Sequence, residues 1–545
     1  DFTSSGLATT DQMLDTPTLN ASTFNPLWAG AGLSDGNLVA TASGNAYQWA
    51  TSTFAIDDGG KYVCEFQKSA GTFGYVGIFQ IGNHTATTGN NYMYAINVGT
   101  GEVVKNASVL VDVGAAPANS LMRIEYDGSN DTIKIFDDGA ETFPASTGVS
   151  NTVGLTGQNS LHFGCAPYGS GTVITATFQG LSGTPTADFL ELTSANLATP
   201  TIADGSAYFQ SALYTGSTSA QDITFSGNSD LAADWLWFKA RNAASNHFLF
   251  DKVRGALKKI ESDRTAAEAT STGSMTAFGT DGFSLGDGGS ANDINGVAGT
   301  TYVAWGWAAG NSTGSTNDDG SVDSTVTANT TAGFSVVKYT PGTGAQTWGH
   351  GLGVAPKMVI VKEIGQAVNW QVYHEGSGAG GKIFLNTTAA YAADTGIWNN
   401  TAPTSSLVST GSGINTANPF IAYCFAEIPG YSSIGSYEGN GSADGTFVYT
   451  GFRPSFLLVK NIDAVESWQI RDSKRDPFNV SKEILYPDTS GAEATSGGGQ
   501  FGDLLSNGFK WRGTDGGNNS AATFIYMAFA ENPFGGDGVA PATAR

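Results

Sequence analysis

The sequence predicts a mainly-β chain built from several antiparallel sandwiches, and three observations support that prediction. Short apolar or alternating runs recur from end to end, separated by Gly, Asn, Asp and Thr, as in antiparallel sheets. Gly supplies 73 of 545 residues, well above its usual share of ~7%, as many tight turns require. A pattern of landmarks with a period of about 100 residues occurs three times, which is typical of repeated modules.

Strands are predicted first in the N-terminal third of the chain. The clearest alternating runs are Gly74–Phe79, Leu121–Tyr126, Thr132–Phe136 and Val173–Phe178. Asp127-Gly128 and Asp138-Gly139 follow two of these runs and are typical turn dipeptides. These features predict a first β domain that lies outside the repeats.

Each repeat begins with a Tyr turn, continues into an apolar strand that ends in lysine, and closes on an aromatic strand. The strand-end lysines are Lys239, Lys362 and Lys460, each about 24 residues after its Tyr turn. The closing strands are nearly continuously apolar, as strands between two sheets are. We interpret the landmarks as packing positions and expect the three lysines to point outward at the strand ends.

Composition sets the predicted domain limits. A polar stretch between the first two repeats is rich in Ser, Thr, Asn and Asp, and we expect it to be flexible. Helices are scarce; the best candidate, Phe250–Glu261, carries a basic cluster that we interpret as a solvated helical or loop face. The predicted segments are an entry segment at 1–15, a β-sandwich at 16–182, a connector at 183–204, repeat 1 at 205–310, a polar linker at 311–331, repeat 2 at 332–429, repeat 3 at 430–534 and a tail at 535–545.

Charge and cysteine content exclude several classes of protein. The net charge of −23 at pH 7 argues against a nucleic-acid partner, because an acidic surface repels phosphate backbones. No window approaches eighteen apolar residues, so we expect no membrane insertion. Cys64, Cys165 and Cys424 cannot form a disulfide framework. We interpret them as small buried hydrophobic residues, with a Cys64–Cys165 bridge as the alternative.

Two sets of motifs together resemble a known group of proteins. The first set includes Met13–Thr18, Leu33–Leu38 and Gly60–Phe66, and the second includes Ala195–Gly205 and Leu249–Gly255. In this order they resemble large virion structural or tail-fibre-like proteins of marine phages. The resemblance implies a SPRY, or concanavalin-A-like, sandwich followed by three jelly-roll-like repeats, without enzymatic activity. The run Phe-Asp-Lys-Val-Arg-Gly at 250–255 is absent from the later two copies, which argues against a function for that run.

No candidate catalytic motif is complete, so we predict no enzymatic activity and no catalytic residue. Gly310–Gly314 has the spacing of a nucleophile elbow but lies in a polar stretch, and Gly376–Ile383 lacks the hydroxyl of a P-loop. Glu125 and Asp127 share a strand face, as the acids of a laminarinase-like hydrolase do, but the third alternating acid is missing. The five histidines include no close ligand pair, so we predict no metal site. Acidic loops at 281–293 and 318–323 leave Ca²⁺ as an alternative.

One loop of the first domain is the candidate binding site. Gly82–Tyr92 joins two predicted strands, and sandwich domains bind ligands through such loops. Aromatic and amide groups suit a glycan. The candidate contacts are His84, Asn90, Asn91 and Tyr92.

These features together predict a structural protein on the exterior of a phage virion, either a tail fibre or a head fibre or decoration protein. We expect its partners to be other virion proteins and a glycan or receptor on the bacterial surface. Stacked modules suit weak multivalent attachment. The resemblance to phage fibres implies that the chain forms a homo-oligomer, and specifically a homotrimer. The alternatives are a secreted or surface bacterial adhesin and a glycan hydrolase or depolymerase.

Overall fold

The computed structural model describes residues 21–533 except 57–59, 72, 81–92, 107, 118, 146, 155–160, 198–199, 291–292, 496 and 498. Within these residues every regular element is a β-strand, apart from short 3-10 turns at Gly205–Ala207 and Glu375–Ser377. The predicted mainly-β fold class is confirmed. No helix in the described part of the chain is long and apolar enough to span a membrane.

The N-terminal region forms a sandwich of two facing sheets. Its strands are β1 (Phe24–Ala29), β2 (Gly32–Ser34), β3 (Val39–Thr41), β4 (Ala50–Ser52), β5 (Lys61–Ala70), β6 (Phe73–Gln80), β7 (Met93–Asn97), β8 (Glu102–Lys105), β9 (Ser108–Asp112), β10 (Leu121–Asp127), β11 (Thr132–Asp137), β12 (Ala140–Phe143), β13 (Leu161–Tyr168), β14 (Val173–Thr177) and β15 (Leu190–Glu191). One sheet has the order β1-β4-β13-β6-β7-β8-β9 and the other β12-β11-β10-β5-β14-β3-β2, with β15 added parallel to β5. The core between the two sheets contains Tyr62, Ile78, Ile124 and Phe163.

The cysteines of this sandwich are buried and free, which confirms their interpretation as hydrophobic residues. Cys64 lies on β5 and Cys165 on β13, in opposite sheets. Facing sheets pack about 10 Å apart, whereas the Cα atoms of a disulfide lie within about 7 Å. Cys424 is also buried and free.

The rest of the described chain forms three units with the same order of landmarks. Unit 1 contains β16 (Phe209–Thr215), β17 (Gln221–Ile223), β18 (Trp235–Ala240), β19 (Phe248–Asp251), β20 (Lys258–Glu261), β21 (Ala269–Thr270), β22 (Met275–Phe278), β23 (Phe283–Leu285) and β24 (Thr301–Trp307). Unit 2 contains β25 (Ser315–Asn317), β26 (Ser324–Asn329), β27 (Phe334–Tyr339), β28 (Gln346–Gly349), β29 (Met358–Glu363), β30 (Gln371–His374), β31 (Gly381–Phe384), β32 (Ala392–Ala393), β33 (Leu407–Thr410) and β34 (Phe420–Phe425). Unit 3 contains β35 (Ser432–Glu438), β36 (Phe447–Tyr449), β37 (Phe452–Asn461), β38 (Gln469–Asp472), β39 (Glu483–Ile484), β40 (Ala494–Thr495), β41 (Gly502–Leu505), β42 (Gly508–Trp511) and β43 (Thr523–Pro533).

Each unit packs a large sheet on a smaller one. The large sheets have the orders β16-β24-β18-β19-β20-β21, β25-β26-β27-β34-β29-β30-β31-β32 and β35-β43-β37-β38. The smaller sheets have the orders β17-β23-β22, β28-β33 and β36-β42-β41, and β39 pairs with β40. The closing strand of each unit (β24, β34 or β43) is therefore an interior strand, paired on both sides in its large sheet, as its continuously apolar sequence requires.

Residues 311–331 are not the flexible linker that their composition predicts. They contain β25 and β26, and β26 pairs with β27 from Ser324↔Tyr339 to Asn329↔Phe334. Thr and Val side chains fit a pleated surface even where the surrounding residues are small and polar. Composition therefore misassigned two edge strands of unit 2.

Phe250–Glu261 is not a helix either. β19 ends at Asp251, β20 begins at Lys258, and a tight turn joins them. Asp251 accepts hydrogen bonds from the Arg254 backbone N–H at 2.8 Å and from Arg254 Nε at 2.5 Å. An aspartate that binds the backbone three residues ahead competes with helix formation.

The landmark tyrosines and the closing strands meet as stacked rings. The ring-centroid distances are 5.1 Å for Tyr214–Tyr302, 5.4 Å for Tyr339–Phe420 and 5.0 Å for Tyr437–Phe524. In units 1 and 3 the tyrosine hydroxyl also donates to a backbone carbonyl, at 2.8 Å and 2.6 Å. These landmarks are therefore packing positions, in which the tyrosine ring is buried against a ring of the closing strand.

The large sheets of the three units share one apolar core. Its members include Trp235, Trp305 and Trp307 from unit 1, Phe334, Ile360 and Phe425 from unit 2, and Phe456, Met527 and Phe529 from unit 3. Trp235 stacks on Tyr423 with a centroid distance of 4.4 Å, which joins units 1 and 2. The large sheet of each unit has an apolar face, and the other two units cover that face and keep it from water.

The three strand-end lysines point inward, contrary to the prediction. All three are fully buried, and each ammonium donates to a backbone carbonyl of another unit. The pairs are Lys239 to Ser490 O at 3.4 Å, Lys362 to Thr265 O at 3.1 Å and Lys460 to Thr388 O at 3.1 Å. Unit 1 therefore contacts unit 3, unit 2 contacts unit 1, and unit 3 contacts unit 2, so the lysine contacts close a cycle.

A second set of polar contacts runs around the same cycle. Asp251 Oδ2 accepts from Tyr423 Oη at 2.9 Å, His374 Nε2 lies 3.1 Å from Tyr526 O, and Asp472 Oδ2 accepts from Trp305 Nε1 at 3.0 Å. In units 1 and 3 the aspartate also pairs with an arginine three residues ahead, Arg254 or Arg475. The Asp-x-x-Arg pair thus occurs in the third copy as well as the first, and in both it holds one unit to another.

The N-terminal sandwich packs against unit 3. Trp28, Trp49 and Phe79 on the outer face of its seven-stranded sheet contact Phe447. Asn507 Nδ2 donates to the carbonyl of Thr53 at 2.8 Å. The sandwich therefore contacts the end of the chain that is distant from it in sequence.

Candidate functional site

The predicted binding residues His84, Asn90, Asn91 and Tyr92 lie outside the described residues. The strands on either side of that loop are β6, which ends at Gln80, and β7, which begins at Met93. The role of these four residues stays a prediction.

A cluster of aromatic side chains lies at the other end of β6. We call Tyr47, Phe73, Tyr75 and Tyr168 the tyrosine platform. The Tyr47 ring centroid lies 4.9 Å from that of Tyr75 and 4.8 Å from that of Tyr168, and Phe73 lies 6.4 Å from Tyr168. From Tyr75 to Gln80 the strand rises about 17 Å, so the platform lies far from the end of β6 at Gln80.

Strand pairing brings the platform together from three separate segments. β6 and β13 pair with Phe73 opposite Tyr168 and Tyr75 opposite Ala166, and Tyr47 forms an isolated bridge with Tyr168. Because side chains alternate along a strand, Tyr75 faces the same side as Phe79, outside the core. The platform therefore continues the aromatic outer face that unit 3 covers.

The platform remains accessible beyond the part that unit 3 covers. Phe73 is 38% exposed, and Tyr47, Tyr75 and Tyr168 are half-buried. Burial raises the pKa of Tyr47, and the neighbouring Tyr75 raises it further, so its hydroxyl stays protonated. Glu102 adds its negative charge to the same effect and accepts a hydrogen bond from Thr100 Oγ1 at 3.0 Å.

Partly exposed tyrosine rings offer apolar faces together with hydroxyl groups at their edges. A sugar ring has the complementary character, with an apolar C–H face and hydroxyls around its rim. The platform is thus able to stack a sugar while its hydroxyls exchange hydrogen bonds with it. Sequence analysis missed this site, although Tyr75 and Tyr168 occupy outward positions of predictable strands.

Glu125, which was considered for hydrolysis, serves the fold instead, and so does the neighbouring Glu65. The Glu125 side chain is 0% exposed; its Oε1 lies 3.1 Å from Arg123 Nε and accepts from the Thr186 N–H at 2.8 Å. Glu65 accepts from the N–H groups of Ser182 and Gly183 at 2.7 and 2.9 Å. These bonds hold the segment 182–186 over both carboxylates.

Asp127 is also unsuited to donate a proton near neutral pH. Burial raises its pKa, but hydrogen bonds from Ser129 and Asn130 and the charge of Lys61 outweigh that effect, so the pKa lies below its usual value. A general acid needs a pKa near the working pH.

In the acidic loop at 281–293 that was considered for Ca²⁺, two carboxylates accept hydrogen bonds from the surrounding fold. Asp281 accepts from the Leu231 N–H at 3.1 Å, and Asp293 accepts from the Ile294 N–H at 2.7 Å and from Ser271 Oγ at 3.2 Å. Across the residues that the structure describes, no group of three or more His, Cys, Asp or Glu is placed to hold a metal.

Comparison with protein families assigns the larger part of the chain. A family model described as a domain of unknown function, DUF7483, matches residues 204–533. The chain belongs to the DUF7483 family. The match spans all three units, so the shared core and its cycle of contacts lie within the DUF7483 region. No curated protein matches the sequence.

Solved structures similar to part of this chain include two SPRY domains and one carbohydrate-binding module. The SPRY domain of human HERC1 is 14% identical, with 29% of this chain and 99% of that chain covered and a TM-score of 0.25. The TRIM65 PSpry domain is 11% identical, with 29% and 93% covered and a TM-score of 0.23. The module CBM66 from Bacillus subtilis is 12% identical, with 29% and 93% covered and a TM-score of 0.20.

Proposed function

We propose that this DUF7483 protein is a non-enzymatic adhesive component of a phage virion that binds glycans of the bacterial surface through its tyrosine platform. It stands on the exterior of the particle, as a tail fibre or a head fibre or decoration protein. The platform carries the glycan-binding part of the proposal, because it combines aromatic faces with hydroxyl groups at an accessible sheet end. The motif resemblance supports the virion part.

The architecture supports attachment rather than catalysis. Of the two acids considered for a hydrolase, Glu125 is buried and accepts a hydrogen bond from the Thr186 N–H, and the pKa of Asp127 lies below its usual value. The net charge of −23 suits a position away from the genome. In a homotrimer, three platforms would act together, and linked weak sites bind more tightly than single ones.

The platform is tested by binding of the full chain to immobilised neutral polysaccharides and bacterial lipopolysaccharides. We expect Tyr47→Ala combined with Tyr168→Ala to weaken retention at least about ten-fold, since each ring contributes roughly 1 kcal/mol. Tyr47→Phe keeps the ring and should retain most of the binding.

Phe189→Ala is the matched control, because Phe189 is a half-buried aromatic residue beside Lys61 on the opposite sheet. It should leave retention unchanged. The platform does not bind glycans if the wild-type chain is not retained on any of the polysaccharides, or if the double variant is retained as strongly as Phe189→Ala.

The hydrolase alternative makes a different prediction for Glu125→Gln. We expect no release of reducing sugars from these polysaccharides by either the wild type or the variant. The variant should instead lose about 1–3 kcal/mol of unfolding free energy, because Arg123 loses its charged partner. Sugar release by the wild type that disappears in the variant would establish a hydrolase.

Location on a particle separates the virion protein from a bacterial adhesin. Mass spectrometry of purified virions should detect the chain, and a particle map should place it on the outer surface. A chain found only on bacterial cells or in their culture medium would identify it as the adhesin.

A further inference from the structure

Unit 2 contains an open polar groove. It has a volume of about 510 Å³, and its lining includes Ser321, Asp323, Thr325, Lys338 and Thr340. Small-molecule sites typically have volumes of 300–1,000 Å³. The groove therefore has room for one or two sugar rings.

The pairing of β26 and β27 places its polar groups on one face. Thr325 lies opposite Lys338 in the register; Asp323 comes two residues before Thr325, and Thr340 comes two residues after Lys338. Side chains two residues apart point to the same side of a sheet. Diagonal neighbours across a strand pair lie about 7–8 Å apart, so the Asp323 carboxylate and the Lys338 ammonium flank a space between them.

Both charges are unpaired within the described chain. Among the described residues, neither Asp323 nor the ammonium of Lys338 has a hydrogen-bond or ion-pair partner. Other lysines of unit 2 are paired: Lys382 with Asp394 at 2.9 Å, and Lys357 with Glu427 at 3.1 Å. Lys338 is half-buried, so its lack of a partner is not explained by full exposure.

The groove is also not required by the shared core. Units 1 and 3 have Leu213 and Ser436 at the place of Lys338, immediately before their landmark tyrosines. The strands β25 and β26, which border the groove, have no counterpart in those units. Unit 2 therefore carries an added edge whose polar groups serve no contact between units.

We propose that this groove is a saccharide-binding site of unit 2, separate from the tyrosine platform. Asp323 accepts hydrogen bonds from sugar hydroxyls, and Lys338 donates to a sugar oxygen on the opposite side. The hydroxyls of Thr325 and Thr340 complete the set, since each is able to donate and accept. Recognition here is by hydrogen bonds to hydroxyl groups, whereas the platform acts by stacking.

The test uses the full chain with Tyr47→Ala and Tyr168→Ala, so that the platform does not contribute. The probes are methyl glucoside and the corresponding uronic acid. Saturation-transfer NMR and calorimetry measure their binding to the chain. We expect saturable binding in the millimolar range, as befits a single shallow site. Lys338→Ala and Asp323→Asn should each weaken it about ten-fold or more, since each loses a charge-assisted hydrogen bond.

Matched controls are Lys482→Ala and Asp318→Asn, which remove exposed charges outside the groove. They should leave binding unchanged. Absence of saturable binding by both probes would overturn the proposal, and so would equal binding by the groove variants and the controls. The platform is tested separately with the single variant Lys338→Ala, in which the platform is intact. Glycan retention by this variant measures binding by the platform without the groove.

Discussion

Replacing Asp472 by alanine should lower the free energy of unfolding by about 3 kcal/mol, because it removes a buried carboxylate that accepts charge-assisted hydrogen bonds and leaves the buried Arg475 with Glu493 as its remaining acidic partner. Asp472 accepts from Arg475 Nε at 2.5 Å and from Trp305 Nε1 at 3.0 Å, and both donors are buried. The change therefore weakens unit 3 and its contact with unit 1 together. Chemical denaturation followed by tryptophan fluorescence measures the effect.

Glu141→Ala is the control for this prediction. Glu141 also pairs with a basic residue, Lys134, at 3.5 Å, and the side chains of the two are 31% and 39% exposed. Exposed ion pairs contribute at most about 1 kcal/mol, so this variant should unfold almost as the wild type does. If Asp472→Ala cost no more than Glu141→Ala, the contact between units 3 and 1 would not stabilise the fold.

Replacing Lys362 by methionine should lower the free energy of unfolding by about 2–4 kcal/mol at neutral pH. The Lys362 ammonium donates to the carbonyls of Glu363 and Val368 at 2.9 Å, Thr265 at 3.1 Å and Gln366 at 3.2 Å. Methionine fills similar space but leaves these carbonyls unpaired, and a buried unpaired polar group costs about 1–3 kcal/mol. Denaturation midpoints of the two proteins measure the loss.

The cost of Lys362→Met should also depend on pH. Burial lowers the pKa of Lys362 to about 8, whereas the unfolded chain has the ordinary value of 10.5. Between these values the folded state binds fewer protons than the unfolded state, so this group stabilises the fold increasingly as pH rises. The difference between wild type and variant should grow by up to about 3 kcal/mol from pH 8 to 10.5.

Lys482→Met, a change at an exposed lysine, is the control for both measurements. It should leave the unfolding free energy close to that of the wild type at every pH. A Lys362→Met cost that stays constant between pH 8 and 10.5 would show that the lysine titrates as it does in water.

Local sequence was sufficient where a structural feature depends on local chemistry. Alternation predicted strands such as Leu121–Tyr126, and the apolar closing strands predicted burial between two sheets, because both patterns follow from the period of a strand. Composition failed at 311–331, where short polar residues form edge strands. It also failed at Phe250–Glu261, where one aspartate turns the chain.

The candidate site was less predictable than the fold. Tyr75 and Tyr168 lie on recognisable strands, but nothing local shows that Tyr47 joins them, since the three lie on separate segments. The loop Gly82–Tyr92 was selected because loops between strands often bind ligands, which is a general tendency rather than a property of these residues.

By itself, the sequence determined the β class, the three sets of landmarks and the burial of their aromatic residues, because these follow from strand periodicity and hydrophobic burial. Only the tertiary structure decided the direction of Lys239, Lys362 and Lys460. A lysine at a strand end normally points into water, and here it is buried because carbonyls of another unit surround its ammonium. Those carbonyls lie about 70 to 250 residues away, beyond the reach of any local pattern.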